Sequence, residues 1–292
     1  MASAIVRREN INGWLFVAPA LILLGVFMIY PIVWSLWMTF QTGRGLNFAF
    51  GGLANIQRLL ADTVFIRALT NTMIFLVVQV PIMITLALLF AVALNDTKLW
   101  GRGFFRTAIF LPCVTSLVAY AVLFKSMFSA EGVINTALVA IGFSPIPWLT
   151  DPFWAKVLIV LAITWRWTGY NMIFYLAALQ NVDRSIYEAA RIDGVPPWAR
   201  FVYITLPMLK PVILFTTVIS TIGTLQLFDE PYNITQGGPA DATLTLSYYI
   251  YNLTFKFMPS FGYASTVSWV IVVLVGILTF LQFVVTRERR PK

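Results

Sequence analysis

The sequence predicts an all-α integral membrane protein with six transmembrane helices, and three observations support that fold class. Hydrophobic residues make up 59% of the 292 residues and charged residues only 11%, whereas a soluble domain carries about 25% charged residues. The mean hydropathy is +0.82. Six apolar runs are each long enough to cross a bilayer core, which takes about 20 helical residues. No soluble interior could hold this much apolar surface, so lipid must cover part of it.

The first apolar run, near 14–40, has features of a signal peptide. It follows Arg7 and Arg8, and Ala18-Pro19-Ala20 resembles a cleavage site. The apolar run nevertheless continues for another twenty residues to Phe40, which is too long for a signal peptide. We therefore predict an uncleaved first helix.

The remaining helices are predicted near 69–94, 105–128, 155–179, 202–228 and 264–286, so that residues 1–292 form a single transmembrane domain. Several prolines fall within these runs or at their ends, where they either kink a helix or reflect the general frequency of proline in membrane helices. The segment 243–257 has apolar residues at helical spacing, which predicts a short helix along the outer membrane surface.

The distribution of Lys and Arg predicts the orientation, because basic loops stay on the cytoplasmic side. With the amino terminus inside, thirteen of the 20 basic residues lie in inner segments, six lie in outer segments and Arg166 remains within the membrane. Four of the inner ones are Arg287, Arg289, Arg290 and Lys292. Both termini are therefore predicted to be cytoplasmic. The net charge of +8 mostly reflects this bias, so it does not argue for nucleic acid binding.

The sequence offers little for catalysis. It contains no histidine and one cysteine, Cys113, which lies within the third apolar run. The commonest metal ligand and general base is therefore missing, and a disulfide within the chain is impossible. We predict no catalytic residue and no metal site.

Arg166 lies deep in the fourth apolar run. It follows Lys156 by ten residues, which is about 15 Å along a helix. An arginine at that depth costs at least about 2.5–3.5 kcal/mol on insertion scales, so it should face a polar cavity or a partner. One interpretation is a structural ion pair with Asp229 or Glu230.

The other interpretation of Arg166 is a sugar-binding site. Tyr170 and Asn171 fall near the same helical face as Arg166, and Trp167 lies beside them. Guanidinium and amide donors can bind sugar hydroxyls, and the C–H face of a sugar packs on aromatic rings. These four residues are therefore candidate substrate contacts.

The predicted cytoplasmic loop 180–201 interrupts the apolar sequence with a structured segment. Ser185 followed by Glu188 predicts a capping box at the start of a short helix. Gly194 can adopt the left-handed conformation that ends a helix, and Pro196 and Pro197 suit either the first turn of a second short helix or a rigid turn. The predicted helix–turn–helix is compact enough to dock into a groove of another protein.

This loop carries a family resemblance. The residues EAA at 188–190, Gly194 after three intervening residues, and ITLP at 204–207 after nine more intervening residues resemble the EAA loop of binding-protein-dependent ABC importers. The segment TQGGPADAT at 235–243 and the number of helices extend the resemblance over the whole chain. They are similar to the carbohydrate-uptake branch, on the side of the first of the two maltose-type membrane subunits.

The resemblance implies a type I ABC importer permease fold whose EAA loop seats in a cleft of the ATPase. The implied partners are a second homologous permease subunit forming a heterodimer, two ATPase subunits, and an extracytoplasmic solute-binding protein in a bacterial inner membrane. The chain itself needs no cofactor, since the ATPase binds ATP and Mg²⁺. The implied ATPase-coupling residues are Glu188, Ala189, Ala190, Asp193 and Gly194. For Glu188 the alternative is that it only caps its helix.

The resemblance also implies a second wall of the sugar site on the fifth helix. In maltose-type relatives the matching part of the fourth helix contributes to the sugar site, and the fifth helix faces it. The implied residues are Thr224, Gln226 and Phe228. The expected substrate is a di- or oligosaccharide or a related polyol.

Three functional classes follow from these features. A translocation subunit needs an external ATPase, and the chain indeed has no G-x-x-x-x-G-K-[ST] stretch. A self-sufficient secondary transporter or channel would place acidic residues within the membrane, yet every Asp and Glu lies in a loop or at a helix end. An integral membrane enzyme would need an acid–base pair that the apolar runs do not contain. We therefore expect the first class.

Overall fold

The computed structural model describes the backbone of residues 2–286, in two compact units. The first unit comprises residues 2–62 and 250–269, and the second comprises residues 63–249 and 270–286. The four basic residues at the carboxyl terminus that entered the orientation argument lie outside the described residues. The single domain expected over 1–292 stays a prediction.

The first unit begins with one continuous helical run. Helix α1 (Ala2–Leu24) passes through a π-helical turn, Gly25–Ile29, into α2 (Tyr30–Met38). The apolar side chains of this run from Trp14 onward are mostly exposed, as a lipid-facing helix requires. The stretch Gly13–Met38 is long and apolar enough to span a membrane, in agreement with the predicted first helix.

The first unit also contains a β-hairpin that the all-α prediction missed. Strand β1 (Gln41–Arg44) pairs antiparallel with β2 (Asn47–Phe50), and Gly45 adopts a positive φ of 62° in the two-residue turn. Helix α3 (Ala54–Ala61) follows. The buried Asn55 of α3 donates hydrogen bonds to the carbonyls of Thr39 (2.9 Å) and Gln41 (2.8 Å), which fixes α3 to the start of the hairpin.

The second unit contains most of the remaining helices. In chain order they are α4 (Thr63–Asn95), α5 (Arg102–Val114), α6 (Leu117–Met127), α7 (Val133–Ala140), α8 (Pro152–Gln180), α9 (Arg184–Ile192), α10 (Pro197–Arg200), α11 (Leu206–Leu225), α12 (Leu246–Tyr251) and α13 (Phe261–Thr286). Helix α12 ends just past this unit, and α13 begins in the first unit and continues into the second. Short π-helical turns occupy Phe201–Thr205, Pro231–Thr235 and Asn252–Lys256.

Five helical stretches of the described residues are long and apolar enough to cross a membrane, and the pair α5–α6 makes a sixth if it counts as one span. The predicted third helix, 105–128, is therefore not straight: α5 and α6 meet at an angle of 102°. Pro112 has no N–H to donate within α5, and the Thr115 hydroxyl donates to the Pro112 carbonyl at 2.7 Å. The missing donor and the local Thr115 hydrogen bond both favour the end of the helix here, because neither supports its continuation.

Helix α8 is the centre of the second unit, where it packs against α4, α5 and α11. Its start is fixed by Asp151, whose carboxylate accepts hydrogen bonds from the amides of Phe153 (2.9 Å) and Trp154 (3.0 Å). Fully buried alanines, such as Ala87 of α4 and Ala162 of α8, allow the helices to approach closely. Small residues at such contacts are typical of membrane helices, which have no hydrophobic driving force between them.

The predicted surface helix in 243–257 begins at Leu246, the first residue of the apolar pattern. Residues 243–245 are not helical, and α12 starts at Leu246. Leu246 and Tyr249 of the predicted apolar face are buried, whereas Phe257 at its far end is 58% exposed.

Candidate substrate site and coupling loop

Arg166 is buried in the middle of α8. It lies 14 residues from Pro152, or about 21 Å along the helix axis, and it is only 8% exposed. Its Nε and Nη1 atoms are buried without a hydrogen-bond partner. A buried guanidinium with free donors is costly unless a ligand, a water or a partner satisfies it.

Two aromatic rings lie beside the Arg166 guanidinium. Its Cζ lies 5.2 Å from the ring centroid of Tyr120 and 5.5 Å from that of Trp167. The Trp165 ring stacks on Tyr120 with centroids 5.7 Å apart. The hydroxyl of Tyr120 is itself buried without a partner. Cation–π contacts hold the guanidinium in place while leaving its hydrogen-bond donors free.

The structure bears on the alternative that Arg166 forms an ion pair. Within the described part of the chain, Arg166 makes no salt bridge with Asp229 or Glu230. Asp229 is exposed, whereas Glu230 is 3% exposed and close enough for the Arg166 charge to act on its carboxylate. The predicted ion pair is therefore not formed as a direct contact among the described residues, although the Arg166 charge acts on the Glu230 carboxyl group.

Asn171 and Thr224 take part in a buried polar network between helices. Asn171 receives a hydrogen bond from Ser220 of α11 (3.5 Å) and donates to the Trp167 carbonyl of its own helix (3.0 Å). Thr224 donates to Gln79 of α4 at 3.2 Å. These two candidate residues thus already have partners within the protein, and the network joins α4, α8 and α11.

The other candidate residues lie at more open positions. Trp167 is 37% exposed, and Tyr170 is half-buried with its ring edge-on to Trp167 at 5.7 Å. Gln226 is exposed at the end of α11, and Phe228 stacks on Tyr232 at 5.0 Å. The structure therefore brings Arg166, Trp167 and Tyr170 together but does not join Gln226 and Phe228 to them by any described contact.

Sequence reasoning missed Tyr120, Trp165 and Gln79. Tyr120 comes from the bent third span, so no helical spacing relates it to Arg166. Trp165 directly precedes Arg166, which placed it on a different face of an ideal helix. Gln79 is an amide in the middle of an apolar run, and that isolated polarity was a usable signal.

The loop between α8 and α11 forms the predicted pair of short helices, α9 and α10. The predicted capping box of Ser185 and Glu188 is wrong: the N-cap is Asp183, whose carboxylate accepts from the Ser185 amide at 2.9 Å. Asp183 and Ser185 stand two positions apart and are both suitable capping residues, and the helix begins directly after the first of them. Gly194 adopts the predicted left-handed conformation, with φ +72°.

The five predicted coupling residues, on α9 and just after it, differ in exposure. Glu188, Ala189, Asp193 and Gly194 are exposed, whereas Ala190 is 6% exposed and packs inward. Ile192 and Trp198 are large apolar side chains exposed at 86% and 65%. Small and apolar residues exposed on a rigid pair of helices are suited to docking into a complementary groove.

The apolar spans and this exposed helix pair define a membrane-spanning transport subunit. A family model for the "Binding-protein-dependent transport system inner membrane component" matches residues 48–290. The chain therefore belongs to this family. It is a permease subunit of an ABC importer, a transport component rather than an enzyme, which decides among the three classes left by the sequence.

Several characterised relatives are similar along their whole length. The lactose transport system permease protein LacF of Rhizobium radiobacter is 68% identical, covering 99% of this chain and 98% of the relative. The trehalose/maltose transport system permease protein MalF of Thermococcus litoralis is 34% identical, covering 99% and 98%. The arabinooligosaccharides transport system permease protein AraP of Halalkalibacterium halodurans is 35% identical, covering 96% and 89%.

A solved structure has the same fold. It is a bacterial alginate ABC transporter in complex with an alginate pentasaccharide-bound periplasmic protein. One of its chains matches with a TM-score of 0.84 at 24% identity, covering 98% of this chain and 97% of that chain. The predicted ABC importer permease fold is confirmed.

Proposed function

We propose that this chain carries a neutral di- or oligosaccharide, or a related polyol, through a site at Arg166. The observation that carries this proposal is the buried guanidinium with two unpartnered nitrogens between aromatic rings. The 68% identity to a lactose permease over nearly the whole chain supports a substrate of disaccharide size. The nearby Glu230 supports a neutral sugar over an anionic one, because a buried carboxyl group beside the site disfavours a second acidic group.

The proposed contacts divide into donors and packing surfaces. Arg166 and the Tyr120 hydroxyl would hydrogen-bond the sugar hydroxyls, and the exposed face of Trp167 with Tyr170 would pack against the sugar ring. Asn171 and Thr224 would support this site by fixing α8 against α4 and α11. Gln226 and Phe228 stay candidates for the second wall.

The complete transporter would require partners of defined kinds. We infer a second homologous permease subunit forming a heterodimer, two ATPase subunits that bind ATP and Mg²⁺, and an extracytoplasmic solute-binding protein. We also infer that both termini are cytoplasmic in a bacterial inner membrane, on the basis of the Lys and Arg distribution. The exposed residues Glu188, Ala189, Asp193 and Gly194 would contact the ATPase, with Ala190 packed beneath them.

The sharpest test compares two tyrosines in the assembled transporter. Tyr120→Phe removes a hydroxyl that has no partner, whereas Tyr175→Phe removes one that is bonded to Thr216 at 2.5 Å. We expect Tyr120→Phe to lower the apparent affinity for lactose uptake about threefold to tenfold without loss of thermal stability. Tyr175→Phe should lower stability and leave the affinity unchanged.

Arg166→Met tests the charged donor, because it keeps an apolar stem and removes the guanidinium. The expected result is a stable complex with strongly reduced lactose uptake. Uptake would be measured in proteoliposomes that contain all subunits, with basal ATP hydrolysis as the control. A variant that fails to assemble, while Tyr120→Phe transports normally, would show that Arg166 is structural.

A further inference from the structure

A polar cavity lies on the side of the second unit that carries the coupling loop. It has a volume of about 760 Å³ and is bounded by the end of α4, the start of α5, the end of α8, and α9. Five basic side chains line it: Lys98, Arg102, Arg106, Arg184 and Arg191. This cavity is separate from the site at Arg166, which lies in the middle of α8.

The positive charge in this cavity is only partly compensated. Only two acids line it, Asp96 and Glu188, and no residue of the cavity forms a salt bridge within the described chain. The Asp96 carboxylate accepts a hydrogen bond from the Lys98 backbone amide at 2.9 Å, so it closes a turn. A bias toward basic residues on the cytoplasmic side explains how many basic residues there are. It does not explain why five of them, from the region of α5 and from α9, converge on one cavity without salt bridges among the described residues.

Two further features add donors or positive charge at the cavity or close to it. Arg106 donates from Nη2 to the Leu94 carbonyl at 2.9 Å, while its Nε is buried without a partner. Helix α5 begins at Arg102, and its N-cap, Gly101, provides no side-chain hydrogen bond. The first amides of a helix carry a positive partial charge, which adds to the attraction for an anion.

We propose that this cavity binds a phosphate-bearing anion, either the headgroup of an anionic lipid or free phosphate. Arginine matches phosphate oxygens with two parallel hydrogen bonds, and basic pockets between membrane helices are suited to phosphate headgroups. The anion would bridge the α4–α5 connection, which holds Lys98 and Arg102, to α9, which holds Arg184 and Arg191. The coupling loop would thereby be tied to the transmembrane bundle.

The proposal does not depend on which sugar is carried, because its test measures anion binding and not uptake. The assembled transporter is placed in nanodiscs of phosphatidylcholine and binding of inorganic phosphate is measured. In a second arm, phosphatidylglycerol is added and its retention is measured by native mass spectrometry. The double variant Lys98→Gln/Arg102→Gln is compared with Arg200→Gln, a base of α10 that does not line the cavity.

We expect the double variant to bind the anion about 25-fold more weakly, at about fivefold for each charge removed. The Arg200→Gln control should change binding less than twofold. If the double variant loses phosphate binding, the ligand is a soluble anion. If the double variant loses only the retention of phosphatidylglycerol, the ligand is a lipid headgroup. If neither probe distinguishes the wild type from the double variant, the proposal is wrong, including the case in which acidic residues of the ATPase fill the cavity.

A second measurement leaves all five charges in place. A cysteine introduced as Thr97→Cys would line the cavity, and we expect bound anion to slow its reaction with a water-soluble thiol reagent. The wild type, with Cys113 as its only cysteine, reports background labelling. A labelling rate that neither phosphate nor phosphatidylglycerol alters would also overturn the proposal, even if the double variant cannot be purified.

Discussion

Gly169 of α8 lies directly against the backbone carbonyl of Ile109 in α5, so that a Cβ at position 169 would overlap that oxygen. The obstacle is backbone and cannot rotate away. We expect Gly169→Ala to destabilise the protein by about 1–3 kcal/mol, measured as a lower thermal midpoint in detergent. Gly223→Ala is the matched control, since no atom lies within 4 Å of a Cβ there. Equal midpoints for both variants would contradict this close packing.

Asn71 of α4 holds the segment after α11. Its buried amide donates to the carbonyls of Asp241 (2.8 Å) and Leu244 (3.0 Å). Asn71→Ala should cost about 1–3 kcal/mol, because it leaves the buried Leu244 carbonyl without this donor, whereas the Asp241 carbonyl still accepts from the Leu244 amide at 3.2 Å; proteolysis within 235–245 should become faster. The half-exposed salt bridge between Arg67 and Asp241, at 3.6 Å, should contribute at most about 1 kcal/mol. Arg67→Gln therefore serves as the weak control, and a larger effect from it would reverse this ranking.

The start of α9 depends on Asp183. The backbone amide of Ser185 and then its hydroxyl lower the pKa of the Asp183 carboxyl below its ordinary value. Asp183→Ala should accelerate hydrogen exchange of amides 184–188, because the charged cap is lost. Ser185→Ala, which keeps the backbone amide, should have a smaller effect. The reverse order would restore the Ser185 capping box.

The same cap predicts a pH dependence. The folded-state pKa of Asp183 is depressed, so the cap contributes fully above the unfolded pKa, about 3.9, and its contribution is lost as the pH falls through the folded pKa. Exchange protection of α9, corrected for the intrinsic rate, should decline below about pH 4. In Asp183→Asn this decline should be absent; an identical decline in both proteins would assign it to other groups.

Gly194 tests the coupling loop. Its φ of +72° penalises branched side chains, while no neighbouring atom limits the space for a Cβ. Gly194→Val should therefore weaken ATPase assembly or substrate-stimulated ATP hydrolysis, whereas Gly194→Asn, which tolerates this backbone, should retain most of it. Normal transport by a well-expressed Gly194→Val variant would show that the loop geometry does not matter for coupling.

The orientation can be measured with introduced cysteines. Ser185→Cys should react with a membrane-impermeant maleimide only from the cytoplasmic side, and Asp241→Cys only from outside. The wild type, with Cys113 alone, measures background labelling. The opposite labelling pattern would invert the predicted topology and remove the coupling loop from the ATPase side.

Much of the fold could be predicted because the bilayer restricts the solutions. Backbone groups in lipid must be satisfied within each segment, so a long apolar run such as 264–286 has little choice but a helix. The conformation of Gly194 was also predictable, because a left-handed helix end is a local backbone property. The EAA spacing at 188–190 carried the family for the same reason: its residues lie in one continuous loop.

Features that depend on how two segments pair or pack against each other could not be predicted. The 102° bend between α5 and α6 separates the predicted third span into two helices, and it belongs to the segment that supplies Tyr120. The β-hairpin at 41–50 depends on pairing across a turn, which an apolar count does not detect.

For the candidate site, the sequence by itself determined that Arg166 lies at membrane depth beside Trp167, because depth follows from residue number along a helix. The tertiary structure decided which neighbours this charge has. It set Tyr120 5.2 Å from the guanidinium and left Arg166 without a salt bridge among the described residues. It also assigned Asn171 and Thr224 to the network that joins three helices. The physical reason is that helical periodicity fixes only which side a residue faces, whereas packing between helices fixes what that side meets.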